Sequence, residues 1–183
     1  RDRAALDAML GDASLRLGPI GALVCCAGVA QQKLFQDITD EDWDRMFDIN
    51  IKGVYRSIQA ALPYLMKRER SRIVTFSSMW GQVGASCESH YAASKGAVIA
   101  LTQSLAKELG PSGVRVNCVS PGTILTDMTA VLGQETLDAL AEETPLERNG
   151  SPEDAARAAA FLCSEAADFI TGQVVGVNGG YFV

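Results

Sequence analysis

The chain has 183 residues, of which 48% are hydrophobic and 21% charged, a composition typical of a globular protein with one core. With 16 basic and 22 acidic residues its formal net charge is −6, which argues against nucleic acid and anionic membranes as partners. The chain has no apolar run of bilayer length, and its five cysteines have no metal-binding spacing, so we expect a metal-free protein of the reducing cytoplasm.

The first third of the chain predicts two helices around one strand. Residues 1–18 suggest an amphipathic helix that ends near Gly18. The apolar run GALVCCAG, residues 21–28, is typical of a buried parallel strand. A longer helix is predicted over Asp40–Lys67, because Thr39 can cap it and apolar residues follow at helical spacing.

Two residues in that longer helix are unexpected. Asn50 and Gly53, in FDINIKG, are both unfavourable in a helix interior. They predict a local irregularity with a purpose, and a surface asparagine beside a packing glycine is an equally good alternative.

Strands and helices alternate through the rest of the chain. The predicted elements are a strand at RIVTFSS (72–78), a helix at ESHYAASKGAVIALTQSLAKELG (88–110), a strand at VRVNCVS (114–120), a partly helical segment (123–150), a helix starting at 151–154 and a strand at GQVVGVN (172–178). This alternation predicts an α/β fold with a parallel sheet covered on both faces. In such sheets ligands bind outside the carboxyl ends of the strands, where we expect the site.

Tyr91 and Lys95 are one turn apart on an otherwise core-like helix. A nearby ammonium favours the phenolate, so the pair can act as a proton donor and acceptor. On its own the spacing is more often a coincidence at the protein surface. Ser78 ends the preceding strand, where its hydroxyl can hold a carbonyl oxygen beside the phenol, although a serine there is more often a cap or turn residue.

Asn50, Ser78, Tyr91 and Lys95 together resemble the catalytic tetrad of the short-chain dehydrogenase/reductase family. The resemblance covers essentially the whole chain, through FDINIKGVY, IVTFSS, YAASKGAV, VRVNCVSPG and ITGQVVGVNGG. SPGTILTDM and PLERNGSPEDAARAAAFLCSEAADFITGQ resemble most the 3-oxoacyl-[acyl-carrier-protein] reductase branch. The family implies a Rossmann-type doubly wound sheet in three α/β/α layers.

The resemblance also implies a mechanism, in which a nicotinamide cofactor delivers hydride to a carbonyl carbon. Tyr91 then protonates the oxygen and Ser78 polarises it. Lys95 holds the nicotinamide ribose and lowers the pKa of Tyr91, while Asn50 anchors a water that leads protons towards Lys95. Besides Tyr91 and Lys95, the implied cofactor-binding residues are Cys26, Ala27, Gly28, Pro121, Gly122, Ile124 and Thr126. NADP is slightly favoured over NAD.

The chain departs from the family pattern in two places. No glycine-rich turn for the pyrophosphate is present, so we expect one truncated domain that lacks the βαβαβ phosphate-binding half and leaves its first strand at an open edge. Cys25 and Cys26 replace the usual pair of asparagines before Ala27 and Gly28.

The expected substrate is a free or acyl-carrier-bound carbonyl compound. Segment 123–150 is expected to be a lid over it, with apolar residues Met128, Val131, Leu132, Leu137 and Leu140. Acyl carrier protein is acidic, and KRERSR (67–72) offers it basic side chains, although Ser112 stands where a second basic contact is expected. The alternatives are another alcohol, sugar or hydroxysteroid-type dehydrogenase of the family, and an inactive binding protein.

Family members assemble through two long helices, here 40–67 and 91–109, and often again through the last strand. We therefore expect a homodimer or homotetramer, with Tyr181 and Phe182 buried in the second contact. For the chain itself we expect aggregation at the open strand edge.

Overall fold

The computed structural model describes residues 2–183. Its α-helices are α1 (Arg3–Leu17), α2 (Asp40–Phe47), α3 (Gly53–Leu65), α4 (Trp80–Val83), α5 (Ser89–Leu109), α6 (Asp127–Ala130), α7 (Gln134–Glu143) and α8 (Pro152–Cys163). Its strands are β1 (Ala22–Cys25), β2 (Ser71–Phe76), β3 (Val114–Pro121) and β4 (Val174–Val177). They form one parallel sheet in the order β1-β2-β3-β4, so the predicted alternation of strands and helices is confirmed.

The core has two parts because successive strand residues point to opposite faces of the sheet. On one face Ile73 of β2 and Val116 of β3 pack with α3 and α5. On the other face Val74 and Val119 pack with Leu162 of α8. The result is a three-layer α/β/α arrangement.

β1 is an edge strand, as the expectation of an open first strand required. It pairs only with β2 within the described residues, and Val24 is 47% exposed. The prediction of a buried strand is therefore wrong for β1, where Cys25 alone is buried. An apolar sequence does not distinguish an edge position from a central one.

α1 forms where the sequence predicts it, and Asp2 caps it by accepting from the N–H groups of Ala4 and Ala5. Its apolar residues do not share one buried face, because Leu10 is buried while Leu15 is 88% exposed. The expected amphipathic character is thus not seen.

The predicted irregularity in the 40–67 helix is confirmed. Thr39 and Asp42 form a capping box at its start. α2 then passes into a π-helical turn, Asp48–Lys52, before α3 begins at Gly53. A π-turn fits one extra residue into the helix and is frequent at functional sites. Here it contains the buried Asn50.

The segment 123–150 begins and ends at the same place. The Gly150 N–H donates to the Thr123 carbonyl at 2.8 Å, and the Leu125 N–H donates to the Gly150 carbonyl at 2.9 Å. Between these closing bonds lie α6 and α7. The segment is therefore a closed loop rather than an extended linker, and we call its hydrogen-bonded base at residues 123–125 and 150 the neck.

Across residues 2–183, no helix has both the length and the apolar character needed to cross a membrane. The same residues bring together no group of three or more acidic, histidine or cysteine side chains that could hold a metal ion.

Candidate active site

The sheet register places the predicted site residues together at the carboxyl ends of the strands. Cys25 pairs with Thr75, and Thr75 pairs with Cys118. The residues just after these positions therefore leave the sheet side by side, with Cys26 after β1, Ser78 after β2 and Pro121 at the end of β3. This is the carboxyl edge, where parallel sheets bind ligands.

The start of α5 brings Tyr91 and Lys95 to this edge. Lys95 Nζ donates to the carbonyl of Phe76, the last residue of β2, at 3.0 Å. The same nitrogen lies 5.8 Å from the centroid of the Tyr91 ring. Ser78, Tyr91 and Lys95 are 7%, 8% and 5% exposed, so all three are held inside the fold rather than in free solvent.

The Tyr91 phenol differs from the sequence-based expectation. Burial raises its pKa, a hydrogen bond with the Ser78 hydroxyl opposes that rise, and the Glu88 carboxylate adds to it. The Lys95 ammonium bonds to the Phe76 carbonyl and lies 5.8 Å from the centroid of the Tyr91 ring. The phenol is consequently protonated at neutral pH.

Burial also lowers the pKa of Lys95. An ammonium inside the protein is costly unless it is paired, and here its one described hydrogen bond goes to a neutral carbonyl. An additional polar partner beside Lys95 would therefore stabilise the charged form.

The π-turn aims Asn50 at the end of β1. Asn50 Oδ1 accepts from the Val29 N–H at 2.8 Å, and its Nδ2 lies 2.9 Å from the Val29 carbonyl. Nδ2 also lies 3.0 Å from Ser94 Oγ, and that hydroxyl donates to the Tyr91 carbonyl. Asn50 thus ties the loop after β1 to the helix that carries Tyr91 and Lys95.

Gly28 leaves room between these groups. A Cβ there would lie 3.2 Å from Lys95 Nζ and 3.3 Å from Asn50 Oδ1. Cys26 and Ala27, just before it, are exposed. A side-chain-free backbone beside a buried ammonium suits a polar ligand such as the ribose end of a nicotinamide nucleotide, so the residues present fit that part of the cofactor.

The other proposed cofactor residues follow β3. The Gly122 N–H donates to the Val177 carbonyl at 3.0 Å, which keeps the chain level with the end of β4. Ile124 forms a bridge with Gly150 at the neck of the 123–150 segment. Thr126 is exposed at the N-terminus of α6.

Sequence reasoning missed His90, which is fully buried beside Tyr91. The Asp42 carboxylate accepts only, so the 2.9 Å contact from Gln31 Nε2 fixes the orientation of the Gln31 amide. Gln31 Oε1 then faces His90 Nε2 at 3.0 Å, and this nitrogen must carry the proton. The contact joins residues 59 positions apart, so no local pattern could have revealed it.

The basic residues 67–72 lie elsewhere. They precede or begin β2, whereas Ser78 follows the carboxyl end of β2. They therefore lie at the amino ends of the strands, opposite the end that carries the Tyr91 phenol. Arg70 is paired with Asp168 at 2.7 Å. Arg68 donates to the Pro19 carbonyl at 3.3 Å.

Comparison with known proteins gives consistent relatives. Residues 1–182 match the family model described as enoyl-(acyl carrier protein) reductase. The chain is 38% identical over 176 residues to a 3-oxoacyl-[acyl-carrier-protein] reductase FabG of Staphylococcus aureus strain Mu50, covering 96% of this chain and 72% of that protein. It is 44% identical over 163 residues to the FabG protein of Aquifex aeolicus, covering 89% of this chain and 66% of that protein.

Solved structures agree in fold. A short-chain dehydrogenase/reductase described as glucose/ribitol dehydrogenase, from Brucella melitensis, matches all of this chain and 73% of its own, with a TM-score of 0.94 and 42% identity. A gluconate 5-dehydrogenase from Burkholderia cenocepacia, solved with NADP and tartrate, matches 98% of this chain and 71% of its own, with a TM-score of 0.92 and 29% identity.

Proposed function

The chain belongs to the short-chain dehydrogenase/reductase family of NAD(P)-dependent oxidoreductases, and on that premise we propose that it reduces the ketone of a 3-oxoacyl thioester to a secondary alcohol. The observation that carries the proposal is the convergence of Ser78, Tyr91 and Lys95, all buried, at the carboxyl edge of the sheet.

When bound beside Gly28 and Lys95, a reduced nicotinamide would supply the hydride for the carbonyl carbon. Tyr91 donates its phenolic proton to the carbonyl oxygen as negative charge develops there, and positioned acid catalysis of this kind contributes about 10²–10⁴-fold. The phenol enters the reaction protonated at neutral pH, because burial raises its pKa. Ser78 holds the substrate oxygen beside the phenol.

Lys95 has two roles in the proposal. It holds the ribose beside Gly28, and it stabilises the phenolate left on Tyr91 after proton transfer. Asn50 positions Lys95 and the loop after β1, and a water at Asn50 is the proposed route by which protons reach Lys95. Cys26, Ala27, Pro121, Gly122, Ile124 and Thr126 are the proposed lining of the cofactor site.

Exposed apolar side chains favour an acyl chain over a sugar. Leu34 and Phe35 are 54% and 74% exposed in the loop after β1, and Leu125 and Val131 are 49% and 83% exposed in the segment after β3. Both stretches leave the carboxyl edge that carries Ser78. A polyhydroxylated substrate would gain little from such surroundings.

In this proposal the acyl carrier protein carries that chain, since the curated relatives bear its name. Lys67 and Arg68 lie at the amino end of β2. They cannot guide a carrier to the Ser78 edge of the same chain, and would do so only for a neighbouring chain of an assembly.

We also propose a homodimer or homotetramer, NADP as the preferred cofactor, and a cytoplasmic location. The NADP complex of the Burkholderia cenocepacia neighbour supports the cofactor. Unpaired thiols at all five cysteines support a reducing compartment.

A substrate panel tests the proposal. The purified protein is assayed with NADPH against 3-oxoacyl N-acetylcysteamine thioesters, and in reverse with NADP and gluconate or ribitol. The proposal expects kcat/KM to be highest for the thioesters and to rise with acyl length. A preference for the polyols would favour the sugar dehydrogenase alternative, and NADPH binding with no turnover of any substrate would favour an inactive binding protein.

A further inference from the structure

Residues 179–182 form a hook after β4. Asn178 holds it at three points. Its Oδ1 accepts from the Gly180 N–H at 3.0 Å, its Nδ2 donates to the Phe182 carbonyl at 2.7 Å, and its own carbonyl accepts from the Tyr181 N–H at 3.1 Å. The position of the hook is therefore set by the end of the sheet.

One side of the hook presses on the 123–150 segment. The Leu146 N–H donates to the Gly179 carbonyl at 3.2 Å. A Cβ on Gly179 would lie 2.5 Å from Thr144 Cγ2, and the φ of +64° also favours glycine, so this approach excludes a side chain. Tyr181 Oη donates to Glu143 Oε2, on the last residue of α7, at 2.8 Å.

The other side of the hook meets the turn that carries Ser78. The Tyr181 and Trp80 rings are in edge-to-face contact, with centroids 5.9 Å apart. The backbone N–H of Trp80 in turn donates to Ser78 Oγ at 3.2 Å. One side chain therefore contacts α7 through its hydroxyl and the Ser78 turn through its ring.

We infer that the hook is a strut between the substrate-covering segment and Ser78, and that Tyr181 is its positioning residue. A movement of α7 acts through Glu143 on the Tyr181 hydroxyl, and through the ring on Trp80 and Ser78. The position of the 123–150 segment over the substrate is thereby coupled to the position of Ser78, which holds the reacting oxygen. This inference rests on the proposed function, in which Ser78 and the 123–150 segment both contact substrate.

The two contacts of Tyr181 can be removed separately. Tyr181→Phe removes the bond to Glu143 and keeps the ring on Trp80, whereas Tyr181→Ala removes both. Glu143→Gln keeps an acceptor oxygen for the hydroxyl and should behave like the parent. Glu142→Gln is the matched control, because it changes the neighbouring exposed carboxylate.

The kinetic test compares 3-oxobutanoyl and 3-oxododecanoyl N-acetylcysteamine thioesters in the purified protein with NADPH. Loss of one hydrogen bond should raise the KM of Tyr181→Phe for the long substrate about fivefold, leaving its kcat and the short substrate within about twofold. Tyr181→Ala should also lower kcat for both substrates about tenfold, through the lost ring contact. If the role of Tyr181 were purely structural, Tyr181→Phe would change the kinetics of both substrates alike.

A second readout needs no turnover. Hydrogen exchange of α7 in the ligand-free protein should speed up in Tyr181→Phe and not in Glu142→Gln. In a Trp43→Phe background Trp80 is the only tryptophan, so its emission should shift in Tyr181→Ala. Unchanged α7 exchange in Tyr181→Phe, or the same change in Glu142→Gln, would overturn the strut. If the parent reduces neither thioester, the proposed function has failed and α7 exchange alone decides the strut.

Discussion

Two ionisable groups of the site, Tyr91 and Lys95, are both moved towards their neutral forms. Burial is the first cause in each case, raising the pKa of the phenol and lowering that of the amine. The sequence shows that the two are neighbours, but the sign of the Tyr91 shift depends on how deeply the fold covers it. That depth comes from tertiary packing and is not visible in the Tyr-x-x-x-Lys spacing.

The cysteines offer a test of the cofactor site. Burial raises the pKa of Cys25 to about 12 and also raises that of Cys118, so both should resist alkylation. Cys26 and Cys87 are exposed. Mass spectrometry after brief iodoacetamide treatment should find them labelled first, and NADPH should protect Cys26 while Cys87 serves as internal control. Equal labelling of Cys26 with and without NADPH would remove it from the cofactor site.

His90 should make stability depend on pH. Burial lowers its folded-state pKa, with Asp42 opposing and Lys33 adding to the effect. The pKa of the histidine in the unfolded chain is about 6.5. Below that pH the unfolded chain binds the proton more readily than the folded protein, so the free energy of unfolding falls as the pH is lowered. Above that pH the contribution of His90 to stability is fully retained. One such group changes the free energy of unfolding by at most about 1.4 kcal/mol per pH unit.

Urea unfolding of the parent and of His90→Gln at several pH values from 7.5 to 5.5 measures this contribution. The chain has one histidine, so the variant removes the only imidazole. The parent's stability advantage over His90→Gln should shrink towards pH 5.5. Parallel curves would show that His90 titrates as it does in the unfolded chain.

Among the elements, the π-turn Asp48–Lys52 shows how far local sequence reaches. Asn50 and Gly53 are poor helix formers in a strong helical pattern, which was enough to predict an irregularity there. The partners that explain it, Val29 and Ser94, lie 21 and 44 positions away from Asn50. Local propensity thus located the irregular turn, and only the fold showed which contacts it makes possible for Asn50.

The strands and main helices were predictable for the same reason, since hydrophobic period and capping residues act locally. Helix α8, for example, starts where the sequence predicts it, and Ser151 and Asp154 form a capping box there. The open edge at β1 was expected only from the family pattern, because the apolar run itself does not show the sheet order. The tie between Tyr181 and Glu143 was not predictable, because it is a contact across 38 positions, which no window of sequence contains.

The 123–150 segment should move as a lid about its neck. The backbone bonds of Thr123 and Gly150 fix its base, while α6 and α7 carry exposed apolar side chains such as Met128 and Val131. Hydrogen exchange of residues 127–143 should slow when NADPH and a 3-oxoacyl thioester are both present. The core strand β3 is the internal control. Equal exchange with and without ligands would identify a fixed excursion.

At the scale of the molecule, α5 leaves part of its surface uncovered. Ala93, Ala100 and Ser104 are exposed along it, and Tyr55 of α3 is 47% exposed. Small residues allow helices to approach closely, so we expect these two helices to form a dimer interface of at least about 1,000 Å². Tyr181, expected in a second contact, has partners within its own chain, and Phe182 is 37% exposed.

Light scattering at micromolar concentration should give a dimer or tetramer mass. Ala100→Arg should shift the mass towards the monomer, because a charged side chain would be buried between the helices. Leu17→Arg on α1 is the control, since it changes an 87% exposed residue away from α5. A monomeric parent would refute the assembly. Aggregates that persist in Ala100→Arg would instead indicate association through the open β1 edge.

The central claim is that the Tyr91 hydroxyl supplies the proton for carbonyl reduction. The direct measurement is steady-state NADPH oxidation with a 3-oxoacyl thioester, together with the NADPH dissociation constant, in the parent and in Tyr91→Phe. Tyr64→Phe is the matched control, because that tyrosine lies near the end of α3, before β2 begins and away from Ser78. We predict that Tyr91→Phe lowers turnover at least about 100-fold and changes NADPH affinity less than about twofold. Turnover above about a tenth of the parent value would contradict the claim.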